Sequence, residues 1–301
     1  MHILKEAKMI CNSCPRRCGA ERTEYTPGGV CSSPAMPRIA RAAAHFGEEP
    51  CISGQNGSGT VFFSGCNLKC VFCQNHEISR GKTGKVVSIE HLRDIFLELQ
   101  DNGVHNINLV TPTHYTDVIV KALTMAQLSI PVAWNSSGYD SVDALRRLDG
   151  LVQIYMPDFK YMSSELAKRY SAAPDYPEVA KAAMAEMYRQ TGDFVLDGNG
   201  MLQSGVLIRH LILPGAGDNS RAVIDYVADN FPGEAVLFSL MAQFTPMPGT
   251  ERFPELQSTV TREENELLVD YMLRRGIEYG FWQDTDAATD DMIPDFDLTG
   301  V

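Results

Sequence analysis

Strand-like and helix-like segments alternate through most of this chain, and no other feature restricts its possible folds as strongly. Apolar segments rich in branched and aromatic residues occur at 59–65, 106–112, 130–136, 151–159, 205–213 and 235–244. Helical apolar patterns lie between and after them, at 88–103, 116–128, 141–149, 163–173, 176–191, 219–231 and 261–276. Such alternation predicts parallel strands joined by right-handed helical crossovers.

The predicted fold class is therefore α/β, with two architectures open. The strand–helix units are too few for a closed eight-stranded barrel, so we expect either a partial (β/α)6 TIM-like barrel or an open doubly wound sheet. The segment before the first strand is rich in Cys, Pro, Arg and Gly, and its "ARAAAHF" stretch is helix-like. We predict a small Cys-rich metal-binding lobe over 1–55, a partial-barrel core over 56–250, and a C-terminal helix and tail over 251–301.

Charge and hydropathy patterning exclude two classes of partner. The net charge is −12 and no basic run interrupts it, so we expect no nucleic-acid partner. No apolar run approaches membrane-spanning length, and the opening "MHILKEAKMI" lacks the apolar core of a signal peptide. These features predict a cytoplasmic protein with no membrane association.

Three cysteines with the spacing C-x3-C-x2-C directly follow the first predicted strand: Cys66, Cys70 and Cys73. All eight cysteines fall between Cys11 and Cys73, and in a reducing compartment such clustering indicates metal ligands. A closed zinc site and an ordinary iron–sulfur cluster both take four protein ligands. Three thiolates therefore predict a 4Fe–4S cluster with one iron left open, and the alternative is a zinc site completed by His76.

A second cysteine group lies in the N-terminal lobe, with the spacing C-x2-C-x3-C-x12-C: Cys11, Cys14, Cys18 and Cys31. Four thiolates in a short loop-rich segment predict a metal site. Zinc, an auxiliary iron–sulfur cluster and four free thiols all remain open. Cys51 stands alone and is expected to be a small buried residue.

The stretch "GSGTVFFSGCNLKCVFCQN", with Phe72 just before the last cysteine, resembles the radical S-adenosylmethionine (radical SAM) superfamily. Within it, the chain resembles a branch related to pyruvate formate-lyase activating enzyme. The resemblance implies that Cys66, Cys70 and Cys73 hold a 4Fe–4S cluster whose open iron binds S-adenosyl-L-methionine. It also implies reductive cleavage to a 5′-deoxyadenosyl radical, which abstracts hydrogen from a substrate, with Phe72 packed beside the cofactor.

The resemblance makes a glycine of a glycyl radical enzyme the leading candidate substrate, because "MPDFKYM" and "RHLILPG" are similar to segments of the activating enzymes. The chain would then be an oxidoreductase-type enzyme whose partners are that glycyl radical enzyme and a flavodoxin- or ferredoxin-type reductant. Two alternatives stay open. One is a radical SAM enzyme acting on a small molecule or another peptide, and the other is a non-catalytic iron–sulfur electron-transfer or scaffold protein.

Polar residues after the second and third strands are candidates for binding the cofactor. The family's Gly-Gly-Glu-like segment is replaced by "NLVTPTHY", which offers Thr111 and Thr113 to the methionyl ammonium. Asn135 and Ser136, in "WNSSGYD", are candidates for bonding a ribose or the methionine carboxylate. In both places an ordinary polar turn is the alternative.

Charged residues on the fourth and fifth strands are the remaining cofactor-binding candidates. Asp158 and Lys160 alternate along one strand and so share a face, where unpaired charge inside a barrel is costly. They are expected either to meet the substrate or to pair as a buried salt bridge. Arg209 lies mid-strand and needs an anionic partner, for which the methionine carboxylate is suited.

Overall fold

The computed structural model describes residues 9–231, 233–289 and 293–301. Its strands carry labels in chain order. They are β1 (Met9–Ile10), β2 (Glu21–Arg22), β3 (Arg38–His45), β4 (Ser58–Phe63), β5 (Lys85–Val86), β6 (Ile107–Val110), β7 (Val132–Ser136), β8 (Ile154–Pro157), β9 (Val195–Leu196), β10 (Leu202–Leu211), β11 (Leu237–Met241) and β12 (Gly280–Trp282).

The main sheet has the strand order β12-β11-β10-β8-β7-β6-β4-β3-β5. Every neighbouring pair from β4 to β12 is parallel, so the six predicted parallel strands are present and β12 adds a short further one. The parallel strands follow one another without the reversal in order that marks a doubly wound sheet. Successive crossovers of one hand place the helices on one face and leave the other face as a barrel interior. The fold is thus the partial TIM-like barrel.

The helices between these strands are α1 (Pro50–Ser53), α2 (His76–Ser79), α3 (Ile89–Asp101), α4 (Thr116–Ala126), α5 (Val142–Arg146), α6 (Ser164–Ser171), α7 (Tyr176–Thr191), α8 (Gly217–Asn230) and α9 (Arg262–Arg274). Helices α3 to α9 lie at the positions that the apolar periodicity predicts, and the short helices α1 and α2 were not predicted. Short 3-10 turns occupy Thr113–Tyr115, Pro254–Leu256 and Thr285–Ala287. In the described ranges, no helix is both long and apolar enough to cross a bilayer.

Helix α3 shows how local sequence determines these elements. Four of its apolar residues lie three or four positions apart and are all buried: Leu92, Ile95, Phe96 and Leu99. The Ser88 side chain accepts the first free backbone N–H, that of His91, at 3.1 Å and fixes the start of the helix. Helix α9 begins with a capping box, in which Thr261 and Glu264 form reciprocal bonds.

The N-terminal region differs from the prediction, because the helix-like stretch "ARAAAHF" belongs to a strand. Residues of β3 pair antiparallel with β4 from Ile39 to His45 and extend the main sheet. Alanine has the highest helix propensity of any residue, but propensity is a weak preference, and pairing with a buried neighbouring strand overrides it here. The boundary of the lobe at residue 55 stays a prediction, and residues 1–8 lie outside the described ranges.

The barrel interior is apolar at one end and polar at the other. Register places Ala133 beside Ile154 and Leu207 beside Leu237, and these side chains pack with Cys51 of α1 in one buried cluster. The prediction that Cys51 is a small buried residue is thereby confirmed. Two residues further along β10, towards the carboxyl end of the strand, the same face carries charged side chains.

The C-terminal tail, residues 293–301, returns to the sheet beside β3. Backbone bonds run from the Ala42 N–H to the Thr299 carbonyl at 2.8 Å and from the Leu298 N–H to the Ala40 carbonyl at 3.0 Å. The Phe296 ring meets Phe62 edge-on, with 5.5 Å between ring centroids. The tail is therefore fastened to β3.

Candidate functional site

The three-cysteine loop begins where β4 ends, at the carboxyl-terminal edge of the parallel sheet. Gly65 makes the turn with φ +90°, and a Cβ there would collide with the Ser33 side chain and with the carbonyl of Cys31. Only glycine fits this close approach between the loop and the N-terminal lobe. The sequence places Cys66 immediately after that turn, at the edge where α/β folds hold their chemistry.

The three thiols of this loop lie within electrostatic reach of one another, with Cys66 buried and Cys70 and Cys73 half-buried. Burial, with a smaller contribution from the charges of Cys66 and Cys70, raises the pKa of Cys73 to about 12. Burial likewise raises the pKa of Cys66, although the backbone N–H groups of Lys69 and Leu68 point at its sulfur and favour the thiolate. Buried thiolates with N–H donors are stable when a metal holds them, since a metal ligand is the deprotonated form.

These observations fit the donor set of an iron–sulfur cluster, and two orphaned polar atoms strengthen the fit. Asn75 Oδ1 and His76 Nδ1, immediately after the last cysteine, are buried without a hydrogen-bond partner. As the side chains stand, no group of three or more His, Cys, Asp and Glu in the described part of the chain is arranged to hold a metal ion. The assignment of Cys66, Cys70 and Cys73 as cluster ligands therefore stays a prediction.

Lys160 is a largely buried cation within electrostatic reach of Cys70 and Cys73. Its Nζ lies 2.6 Å from an oxygen of Asp158, so the two residues form the salt bridge that the sequence allowed. Burial works to lower the pKa of Lys160, but Asp158, Cys70 and Cys73 outweigh it and hold that pKa above its ordinary value. The ammonium therefore stays charged beside the thiols.

Arg209 occupies the polar layer of the barrel interior and is surrounded by carboxylates. Its guanidinium lies 2.6 Å from Glu48, 3.5 Å from Glu49 and 3.6 Å from Asp158. The sequence correctly required an anionic partner for Arg209 but assigned that role to the methionine carboxylate. The protein supplies the anions itself, so a cofactor carboxylate is not needed to offset this charge, and a role of Arg209 in cofactor binding stays a prediction.

Glu48 and Glu49 are functional candidates that the sequence reasoning missed. Both side chains are only 9 % exposed, although they come from the segment just before α1. Burial raises the pKa of Glu49 against the opposing effect of Arg209, and its Oε2 has no hydrogen-bond partner. Adjacent acidic residues before a short apolar helix, "EEPCIS", were the available signal.

Asn135 belongs to this polar layer too. Its Nδ2 donates to Glu48 Oε1 at 3.2 Å, and Asn108 Nδ2 donates to the same oxygen at 2.9 Å. Asn135 thus lies inside the barrel, where the sequence expected it, with its amide held by a protein carboxylate. Asn108 could not be singled out as a site residue from the sequence, because a single Asn in an apolar strand often only forms a structural hydrogen bond.

Thr113 and Ser136 are held by a buried carboxylate that the sequence reasoning did not single out. Their hydroxyls donate to Asp140 at 2.7 and 2.5 Å, and Trp134 Nε1 lies 3.4 Å from it. Burial raises the pKa of Asp140, and the three donors oppose that shift. The hydroxyls are therefore occupied in tying the turns after β6 and β7 together, which matches the polar-turn alternative.

Thr111, by contrast, is in a strained backbone conformation at the end of β6. Its φ is +59°, in the left-handed region that β-branched residues rarely adopt. The Thr111 N–H donates to the Asn135 carbonyl at 2.8 Å, which holds the conformation in place. Strain of this kind clusters at ligand sites, so Thr111 keeps its place among the candidates.

Phe72 lies in an aromatic cluster below the loop. Its ring meets those of Tyr161, Tyr170 and Phe244 edge-on, with centroids 6.1–6.3 Å apart. The sequence expected an apolar surface beside the cofactor, and Phe72 is buried within a larger one. These rings exclude water from the side of the loop that faces the barrel core.

The four cysteines of the N-terminal lobe converge as well. Burial, with smaller contributions from the charges of Cys11, Cys31 and Cys18, raises the pKa of Cys14 to about 11. Three of the four side chains are buried and Cys18 is exposed. The sequence-predicted group is thus brought together within electrostatic reach, in a lobe that packs against the three-cysteine loop.

Comparison with known proteins gives one family. A family model described as the radical SAM superfamily matches residues 60–219. An uncharacterized protein of Methanocaldococcus jannaschii is 29 % identical over 278 residues, which cover 88 % of this chain and 75 % of that protein.

Two solved structures are similar to this one. SuiB from Streptococcus suis, crystallised with S-adenosylmethionine, matches with a TM-score of 0.46 and 14 % identity over 75 % of this chain and 45 % of the SuiB chain. A domain of pyruvate-formate lyase-activating enzyme from Bacteroides vulgatus matches with a TM-score of 0.38 and 11 % identity over 56 % of this chain and 91 % of that domain. The chain therefore spans less than half of SuiB.

Proposed function

This chain belongs to the radical SAM superfamily, and on that premise we propose that Cys66, Cys70 and Cys73 hold a 4Fe–4S cluster whose fourth iron is left for S-adenosyl-L-methionine. The observation that carries this proposal is the meeting of three mutually interacting thiols with a charged, buried lysine at one edge of a parallel sheet. Two of the three are only half-buried, so a small molecule can approach them.

When bound, the reduced cluster with S-adenosyl-L-methionine supplies a 5′-deoxyadenosyl radical able to remove a hydrogen atom from a substrate. The chain's own residues bind and orient. Lys160, fixed by Asp158, offers a positive charge next to the thiolates. The rings around Phe72 keep water away from one side, and the strained Thr111 holds its turn in a fixed conformation.

For the substrate we propose a glycine of a glycyl radical enzyme, which would make the chain an activating enzyme. The support is the resemblance of "MPDFKYM" and "RHLILPG" to the activating enzymes, together with the position of Asp158, Lys160 and Arg209 on one interior face. A flavodoxin- or ferredoxin-type protein would deliver the electron. Both partners and reduced thiols belong to a cytoplasmic setting.

A small-molecule substrate is the second candidate, because one cavity lies at the carboxyl-terminal edge of the barrel strands. It has a volume of about 450 Å³ and lies beyond the carboxyl ends of β8 and β10, with Ser163, Arg169, Tyr170, Asn219 and Glu255 in its wall. Tyr170 also contacts Phe72, so this cavity neighbours the three-cysteine loop. Its size suits a ligand of a few hundred daltons.

The test is anaerobic reconstitution with iron and sulfide, followed by reduction in the presence of S-adenosyl-L-methionine. We expect release of 5′-deoxyadenosine and methionine, and a cluster spectrum that changes when the cofactor is added. An electron-transfer or scaffold protein would show a cluster but no release. Absence of any cluster at the loop would overturn the proposal.

The substrate is tested separately, by incubation with candidate glycyl radical enzymes from the same cell. The expected result is a glycyl radical signal by electron paramagnetic resonance that depends on the reconstituted protein and on the cofactor. Cofactor cleavage without that signal, but accelerated by a small molecule, would instead favour the cavity. In that case Arg169→Ala should reduce the acceleration, whereas Arg146→Ala, on the distant helix α5, should not.

A further inference from the structure

In the part of the chain that the structure describes, a buried arginine of the N-terminal lobe has no carboxylate partner. Arg22 is only 2 % exposed, and its NH1 lies 3.2 Å from the His114 carbonyl and 3.4 Å from the Pro34 carbonyl. Its Nε has no hydrogen-bond partner, and among the described residues no Asp or Glu forms a salt bridge with it. A buried charge is expensive unless an opposite charge offsets it.

The acidic groups within reach of Arg22 are thiols. The Cys31 Sγ lies 4.0 Å from Arg22 NH1, and the positive charge of Arg22 also acts on Cys18. Cys14 in turn interacts with the other three cysteines of the lobe. Neutral thiols would leave the arginine without an anion, whereas thiolates would supply one.

The backbone around the lobe cysteines is arranged to favour thiolates. Backbone N–H groups of Val30 and Ala20 point at the sulfur of Cys18. The Arg16 N–H points at the sulfur of Cys14 in the same way. N–H donors stabilise the charged form of the sulfur, which is the form that binds metals.

We propose that Cys11, Cys14, Cys18 and Cys31 bind one metal centre with four thiolate ligands, and that Arg22 is the buried counter-charge of that centre. A zinc ion or an iron–sulfur cluster with four thiolates carries net negative charge in either case. This shared anionic character is what Arg22 requires. The two metals are separated by the experiment below.

The position of the lobe gives this centre a role at the three-cysteine loop, and this step rests on the proposed function. Arg16, between two lobe cysteines, donates to the carbonyls of Asn67 at 2.8 Å and Ser171 at 2.7 Å. The Lys69 ammonium donates to Ser32, next to Cys31, at 2.6 Å. The lobe thus contacts the segment between the first and second cysteines of the three-cysteine loop, and the metal centre stabilises the conformation of that loop.

The first experiment counts zinc and iron in anaerobically purified full-length protein and in two variants. In the triple variant Cys66→Ala/Cys70→Ala/Cys73→Ala we expect the lobe metal to remain, as about one zinc or as one iron–sulfur cluster per chain. In Cys14→Ala we expect that metal to be lost. Unchanged zinc and iron in Cys14→Ala, or a triple variant with neither metal, would overturn the proposal.

These outcomes are independent of the proposed function. The triple variant lacks the loop ligands, so its metal content reports on the lobe alone. If the wild-type protein cleaves S-adenosyl-L-methionine but the triple variant holds no metal, the lobe proposal fails and the proposed function stands. If the triple variant holds metal and the wild-type protein forms no loop cluster, the reverse is true.

The second experiment tests the counter-charge in the triple variant, with a chelator competing for the lobe metal. Arg22→Gln should release the metal at about tenfold lower chelator concentration, because loss of an outer partner typically weakens metal binding by roughly 10- to 100-fold. Arg22→Lys, which keeps the charge, should recover part of the affinity. Arg17→Gln is the matched control, since Arg17 is exposed in the same lobe.

Circular dichroism of each variant separates a folding defect from a binding defect. A folded Arg22→Gln protein that holds its metal as tightly as Arg17→Gln does would overturn the counter-charge assignment. If Arg22→Gln fails to fold, metal binding is compared between Arg22→Lys and Arg17→Lys, because both variants keep the positive charge and change only its position. Weaker metal binding in Arg22→Lys than in Arg17→Lys would support the counter-charge assignment, and equal binding would overturn it.

Discussion

Two buried arginines show how differently the barrel interior and the N-terminal lobe handle charge. Arg209 lies within 4 Å of three carboxylates in the polar layer of the barrel. Among the residues that the structure describes, the polar contacts of Arg22 are two carbonyl oxygens and one thiol. The barrel interior is therefore electrostatically complete in the protein alone, whereas the lobe is complete only with ionised sulfur. This contrast supports the proposal that the lobe cysteines bind a metal as thiolates.

The largest expected effect is the loss of cofactor cleavage when a cysteine of the three-cysteine loop is removed. Cys70→Ala should abolish release of 5′-deoxyadenosine, with a loss at least as large as the roughly 100-fold that removal of an outer metal partner can cost. Cys70 would be a direct ligand, and no neighbouring thiol in the sequence can replace it. The rate of release under reducing, oxygen-free conditions measures the effect.

Two variants serve as controls for that result. Cys51→Ala removes a buried cysteine that packs in the apolar end of the barrel and should leave release intact. Cys14→Ala should lower release but not abolish it, since the lobe braces the loop without supplying its ligands. Retained release in Cys70→Ala would show that the ligand assignment is wrong.

The next effect sharpens the contrast between the two arginines. Arg209→Met leaves Glu48 and Glu49 buried without their cation, and breaking such a pair costs about 3–5 kcal/mol of unfolding free energy. In metal-free protein, Arg22→Met should cost less, because no carboxylate is left behind. Arg93→Met, which breaks the exposed pair with Asp94, should cost about 0–1 kcal/mol. Denaturant unfolding measures all three, and a larger cost at Arg22 than at Arg209 would contradict the contrast.

Acid tests the barrel through one buried histidine on β10. His210 is buried between the Phe159 carbonyl and Ser220 Oγ, and burial lowers its pKa to about 4. The unfolded chain binds this proton below about pH 6.5 and the folded chain does not, so stability falls as the pH drops from about 6.5 to about 4. The loss from this residue is about 3 kcal/mol.

His210→Gln should remove that part of the pH dependence while leaving the lobe metal in place. Unfolding free energies measured across this pH range, for the wild-type protein and the variant, test it. His114 adds a similar dependence at the junction with the lobe, since burial lowers its pKa to about 3. Curves of equal slope for the variant and the wild type would refute the role of His210.

The smallest effect sets the baseline for both regions. Thr261→Ala removes the capping box of α9, which contacts neither cysteine group, and should cost about 1 kcal/mol of unfolding free energy. Metal content and cofactor cleavage should not change. A change in either would mean that loss of stability alone perturbs the sites, and the larger effects would need correction for it.

Local periodicity was enough to predict the parallel strands and their helices. The alternation of strands and amphipathic helices is encoded residue by residue, and each predicted element from β4 to α9 is present. Strand β3 was missed because its alanines favour a helix locally and only pairing with β4 makes it a strand. The same limit hid β12 and the C-terminal tail, whose partners are distant in sequence.

Candidate residues whose type and spacing carry the chemistry could be predicted from the sequence. Candidate residues that reach the site only through the course of the chain were missed. The cysteine spacing and the Asp158–Lys160 pair followed from the sequence. Glu48 and Glu49 did not, because nothing local shows that the segment before α1 enters the barrel. For Arg209, the need for an anionic partner could be predicted from its place in a buried strand. The identity of that partner could not, because it depends on the fold.

The tail beside β3 has a consequence for how copies of this molecule behave towards one another. Strands at the margin of a sheet present unpaired amide and carbonyl groups that recruit strands from other chains. Here the backbone of 298–299 occupies those groups on residues 40–42, next to the short pairing with β5. The tail therefore covers backbone groups of β3 that could otherwise pair with a strand of another copy. Removing the tail would expose these groups on the strand that links the lobe to the barrel and would favour self-association.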